Sequence, residues 1–70
     1  MKNNIVLIRK QNKIKQLQVA KAAGVSRQSI YSIERGIFTP TVDTAIKIAK
    51  FLGKPVEEIF FLDGDKKAGK

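Results

Sequence analysis

The sequence predicts an all-α domain of five short helices. Three observations carry that reading: apolar residues recur at spacings of three and four along successive segments, residues able to cap a helix precede several of them, and glycine or proline marks the gaps. Asn3 or Asn4 can cap a first helix running to about Gln11, with Ile5 and Ile8 on its inner face. Ile14 closes the corner before a second helix that starts near Lys15 or Gln16 and ends at Ala23. Val19, Ala20 and Ala23 fall on one face of that helix, and Gly24 can take the left-handed backbone that stops it. Ser26 is placed to cap a third helix, roughly Arg27 to Arg35, with Gly36 as its stop. Ile37 to Pro40 reads as a loop. Thr41 can cap a fourth helix in which Val42, Ala45, Ile46, Ala49 and Leu52 repeat at helical spacing. Asp43 lies in its first turn, where the helix dipole favours a carboxylate, and Gly53 ends it. Pro55 sets the backbone for a short fifth helix, Val56 to about Phe60. Residues 1–62 are read as one domain, and 63–70 as a flexible basic tail with too little apolar content to pack.

Seventy residues bury too little surface for a second core or a deep enclosed cavity, so a pocketed active site is not expected. The chain has no histidine and no cysteine, and so lacks the common metal ligands, imidazole bases and thiol nucleophiles. The expectations are no enzyme activity, no metal, no cofactor and no small-molecule substrate. Without cysteines there is no disulfide framework, and without a long apolar stretch no membrane partner is suggested, which makes a cytoplasmic protein the default.

The net charge of +8 is unevenly distributed. Through Thr39 there are eight basic residues, Lys2, Arg9, Lys10, Lys13, Lys15, Lys21, Arg27 and Arg35, against the single acid Glu34; from Pro40 onward six lysines meet five acids. The excess therefore lies in the half that contains the third helix, as release of counterions from phosphates would favour. The competing interpretation is a solvated lysine-rich face.

The segment Gln16 to Gly36 reads as two helices joined by a tight turn. Ile30 and Ile33 turn one face of the second of these inward and leave Arg27, Gln28, Tyr31, Ser32 and Arg35 outward. This segment resembles the helix-turn-helix of the phage repressor and Cro family, the Xre-type regulators. The resemblance rests on Gln16, Ala20 with Gly24 four residues later, the run from Val25 to Ile30, and Ile33-Glu34-x-Gly36. More loosely it extends from about Asn3 to Phe60. It implies a compact, lambda-repressor-like DNA-binding domain whose partner is double-stranded DNA.

In that family's docking geometry the residues starting the reading helix reach base edges in the major groove, which assigns Arg27 and Gln28. Arginine matches guanine O6 and N7 in a bidentate way, and glutamine matches adenine N6 and N7. A pure phosphate contact is the competing role for Arg27. Ser32, one turn on, resembles a third base-reading position with a less selective hydroxyl. Tyr31 could pack on a thymine methyl or bond a phosphate. Gln16 matches the family's glutamine that bonds a phosphate and braces the reading helix. Lys15 stands where serine or threonine is usual just before it, which removes a cap and offers a cation to the DNA backbone. Ser26, Arg35, Lys10 and the backbone N–H groups near Gly36 and Phe38 complete the phosphate candidates; Lys13 and Lys21 are read as solubilising. The resemblance also sets Arg9 of the first helix against Glu34, as a partly buried ion pair that fixes the reading helix.

One reading helix samples too few base pairs to select a site in a genome, so a homodimer on a near-palindrome is expected. Ile5 to Ile8 and Ile59 to Leu62 are each four apolar residues in a row, and a helix packed on one side buries only part of such a run. Ile59, Phe60, Phe61 and Leu62 are the expected dimer contacts, with a short C-terminal strand as one form of that interface. The alternative folds the aromatics onto the chain's own core. The expected function is a dimeric transcription repressor that reads an operator, governed by concentration, operator arrangement or a separate regulatory protein. The competing function is an interaction module of the same fold, such as an antitoxin or adaptor.

Overall fold

A computed structural model describes residues 2–62; the expected basic tail, 63–70, lies outside the described residues. The elements run β1 (Lys2–Asn3), α1 (Ile5–Gln11), α2 (Gln16–Ala23), α3 (Arg27–Glu34), α4 (Val42–Leu52), α5 (Val56–Ile59) and β2 (Phe60–Phe61). The five helices surround one core, whose largest fully buried members are Ile5, Val19, Ile30, Ile33, Ile48 and Ile59. At least one comes from every helix, so no helix buries its apolar face without the others. Helices of seven or eight residues are too short to persist alone in water, and this shared burial is what holds them.

Local signals set the helix ends. Ser26 Oγ accepts from the Ser29 N–H at 3.0 Å, and Thr41 Oγ1 from the Thr44 N–H at 3.2 Å, so α3 and α4 carry side-chain caps. Gly24 has φ +74°, and a Cβ added there would meet nothing within 4 Å; glycine is required for its backbone angle, not for space. That angle lets the Val25 N–H reach back to the Ala20 carbonyl at 3.0 Å, closing α2 and turning the chain sharply into α3.

At the start of α1 the structure chooses between the two asparagines, and at the end of α5 it departs from the expected helix by turning to a strand. The α1 start has no side-chain cap from Asn4. Asn3 accepts from the Ile5 N–H at 3.1 Å instead and donates to the Ile33 carbonyl at 2.8 Å, while Asn4 donates to the Glu58 carbonyl at 3.0 Å. The two asparagines thereby tie the start of α1 to the ends of α3 and α5. Helix α5 stops at Ile59 because Phe60 turns to extended backbone. Phe60–Phe61 then forms a strand whose antiparallel partner is the chain's own Lys2–Asn3, with Asn3 opposite Phe60.

This ribbon corrects the expected dimer surface. In extended backbone neighbouring side chains point to opposite sides, and Phe60 enters the core while Phe61 is half-buried and Leu62 exposed. Ile59 has no exposed surface at all. Ile59 and Phe60 therefore belong to the chain's own core, and of the four only Phe61 and Leu62 present surface to a partner. Replacing Ile59 by alanine is expected to cost about 2–5 kcal/mol in urea denaturation, whereas Val42→Ala, at an exposed position, stays within about 0.5 kcal/mol of wild type.

Candidate nucleic-acid interface

Helix α3 divides its residues by depth. Ile30 and Ile33 are buried, Ser29, Ser32 and Glu34 are intermediate, and Arg27, Gln28 and Tyr31 are exposed. The apolar residues thus anchor the helix while Arg27 and Gln28 stand at its outer N-terminal end and Ser32 lies one turn beyond. These are hydrogen-bonding groups of the types that match base edges.

The anchoring is polar as well as apolar. Arg9 Nε on α1 donates to Glu34 Oε2 at 2.8 Å, with the two side chains 14% and 4% exposed. Arg9 Nη1 also donates to the Ile14 carbonyl at 3.1 Å, so one guanidinium ties the α1–α2 corner to the end of α3. Gln16, at the start of α2, donates through Nε2 to Glu34 Oε1 at 2.8 Å and accepts through Oε1 from Arg27 Nη1 at 3.1 Å. An amide nitrogen carries two hydrogens, so one N–H of Gln16 is left for a phosphate.

The remaining phosphate candidates fall into two groups, exposed side chains and backbone donors. Lys10, Lys15, Ser26 and Arg35 are exposed. Arg35 donates through Nη1 to the Tyr31 hydroxyl at 3.3 Å, and its guanidinium lies 5.5 Å from the Tyr31 ring centroid, which makes the two a stacked pair. Lys15 lacks a side-chain cap, and the first turn of α2 is instead secured by Gln18, whose Oε1 accepts from the Lys15 N–H at 2.8 Å. The backbone of Gly36 and Phe38 requires a correction. The Gly36 N–H donates to the Ile33 carbonyl at 3.0 Å, and the Phe38 N–H to the Ser32 carbonyl at 3.3 Å. Closing the end of α3 uses both donors, so neither is free for a phosphate.

The sequence reading gave no role to the side chains of Ile37 and Phe38, which are 73% and 52% exposed beside α3. With Gln28, Ser29 and Ser32 they line a shallow depression of about 310 Å³ beside α3. The sequence shows two apolar residues directly after the glycine that ends α3, but such residues often fold back on their helix, so their exposure had to come from the structure.

A bent pair of helices, the first anchored by Val19, Ala20 and Ala23 and the second turning a polar face outward, defines a helix-turn-helix DNA-binding domain. Known proteins agree. The helix-turn-helix family model matches residues 5–59. The chain is 42% identical over 66 residues to an uncharacterized HTH-type transcriptional regulator of Methanocaldococcus jannaschii, covering 94% of this chain and 100% of that protein. It is 32% identical over 63 residues to the uncharacterized HTH-type transcriptional regulator YgzD of Bacillus subtilis, covering 90% and 96%. It is 33% identical over 52 residues to the cryptic phage CTXphi transcriptional repressor RstR of Vibrio cholerae, covering 74% and 47%. The chain belongs to the Xre-type helix-turn-helix family of DNA-binding transcription regulators. Among the described residues no helix is long and apolar enough to cross a membrane.

Removing Glu34 would leave Arg9, itself largely enclosed, without its carboxylate. Glu34→Ala is expected to destabilise the domain by about 3–5 kcal/mol, a large share of the roughly 4–10 kcal/mol that a chain this size possesses. Thermal and urea unfolding measure this, with Asp43→Ala as control: its pair with Lys47 is solvent-exposed, and its loss should change stability by less than about 1 kcal/mol.

Proposed function

We propose that the protein is a dimeric transcription repressor that reads an operator through the major groove. The observation that carries this reading is the division of α3, with Ile30 and Ile33 buried and Arg27 and Gln28 exposed at its N-terminal end. Arg27 and Gln28 read bases, Ser32 and Tyr31 extend the contact along the groove, and Gln16, Lys15, Ser26, Lys10 and Arg35 bind phosphates and set the register. The Xre-type relatives support the DNA partner, and the repressor RstR supports the sense of regulation. Occupying a promoter-proximal operator excludes polymerase without any further chemistry.

Dimerisation follows from length. Eight residues of α3 span about 12 Å at 1.5 Å per residue, which covers roughly three or four base pairs at 3.4 Å each. Two such helices related by a two-fold axis double the site and explain a near-palindrome. Phe61 and Leu62, at the outer end of the ribbon, supply the apolar contact.

Selection of bound fragments from random duplex DNA tests specificity, symmetry and spacing together; an enriched inverted repeat is expected, and enrichment of no sequence overturns the reading. On the selected site, Arg27→Ala and Gln28→Ala should each lose about 1–3 kcal/mol and relax the preference at particular base pairs. Arg35→Ala should weaken all sequences alike and lower the salt slope by about one. Sedimentation should give a dimer on that DNA at micromolar protein, and a monomer both with and without DNA discards the dimer.

A further inference from the structure

The two carboxylate oxygens of Glu34 are committed in different directions. Oε2 accepts from Arg9 Nε at 2.8 Å, and Oε1 from Gln16 Nε2 at 2.8 Å, with a longer bond of 3.4 Å from Arg9 Nη2 to Oε1. A carboxylate only accepts, so the Gln16 amide must turn its nitrogen towards Glu34 and its oxygen away. That oxygen accepts from Arg27 Nη1 at 3.1 Å. A guanidinium only donates; with the amide reversed, nitrogen would face nitrogen and the Gln16–Arg27 bond would be lost. Arg27 and Glu34 lie seven residues apart, two turns along one face of α3. Gln16 on α2 bridges them, and it is the one hydrogen-bond partner of the Arg27 guanidinium among the described residues.

We propose that Glu34 is a positioning residue for base recognition, holding Arg27 in place by fixing which way the Gln16 amide faces. The proposal rests on the reading that Arg27 contacts a base. It gives Glu34 a second task, separate from joining α3 to α1: the carboxylate at the inner end of the reading helix prepares the arginine at its outer end. The acceptor-only chemistry of Glu34 is what matters. A residue of the same shape that could also donate would leave Gln16 free to reverse and Arg27 free to wander.

Glu34→Gln makes that change in the full chain. Its affinity is measured for the duplex that wild type selects from a random pool, at one fixed salt concentration, alone and crossed separately with Arg27→Ala and Gln28→Ala. Arg27→Ala is expected to weaken the wild-type complex by at least about five-fold, and to have less than half that factor of effect in the Glu34→Gln background. Gln28→Ala should cost the same factor in both. Equal coupling to both alanine changes marks a purely architectural Glu34 and overturns the proposal, as does an undiminished Arg27→Ala effect. Gln16→Met, crossed in the same way, keeps the Arg9–Glu34 pair and removes the bridge together with the proposed Gln16 phosphate contact, a loss common to every crossed variant, so the coupling to Arg27 can still be read if Glu34→Gln unfolds. The same selective coupling to Arg27 is expected, and independent factors overturn the proposal. Failure of the underlying reading is distinguishable, because wild type would then enrich no sequence at all.

Discussion

The geometry of α3 depends on one enclosed carboxylate. Glu34 is 4% exposed in its side chain and receives donors from α1 and α2, so the last turn of α3 is held by groups on both preceding helices. An ion pair in such a place is weak support for stability as such, because desolvating two charges offsets most of their attraction. What it supplies is direction. Aliphatic contacts such as Ile30 and Ile33 tolerate small rotations and slides, whereas hydrogen bonds of 2.8 Å from a planar guanidinium and a planar amide do not. No buried side-chain nitrogen or oxygen among the described residues lacks a partner, so this polar cluster is complete within the fold. If α3 presents side chains to DNA as proposed, that directional constraint matters more than its contribution to folding energy.

The termini of the domain are fastened by the same kind of bond. Asn3 reaches the Ile33 carbonyl, one residue before Glu34, and the Asn4 N–H donates to the Ile59 carbonyl at 2.9 Å. The ribbon of β1 and β2 continues this seam, and its Asn3 ties it to the last turn of α3. A two-stranded ribbon is marginal alone. It exists here because Ile59 and Phe60 are already committed to the core and carry β2 into place beside Lys2 and Asn3.

How much of this was legible depends on whether a feature is local. The α2–turn–α3 unit was legible because Gly24, Ser26 and the spacing of Val19, Ala20, Ala23, Ile30 and Ile33 are all near-neighbour signals. The partnership of Arg9 with Glu34 joins residues 25 apart and came from family resemblance, since nothing in composition or period pairs them. The ribbon was not legible: two residues per strand show no alternation, and Ile59 to Leu62 fits a helix end as well as a strand. Nor was the turn after α1, where Lys13 takes φ +56° in a position that glycine or asparagine would have announced. The Phe38 N–H was misassigned for a related reason. A sequence shows that a loop follows α3, but not that the helix's own open carbonyls claim its donors.

The free protein holds Arg27 without trapping it. Its bond to Gln16 lies at an exposed position, where exchange with water leaves a net value of about 0.5–1.5 kcal/mol. On the proposed reading, a bidentate match to a guanine edge, which discriminates against a wrong base by about 1–3 kcal/mol, competes with a bond of only this strength. A wrong base offers no such match. Restricting a long side chain before contact also removes part of the roughly 0.5–1.5 kcal/mol that ordering it on the DNA would cost. A stronger tether, such as a buried ion pair of Arg27 itself, would reverse this balance and hold the arginine away from DNA. Placing the charge pair one step back, at Arg9 and Glu34, and leaving only a neutral amide in contact with Arg27 keeps that arginine ordered and still exchangeable.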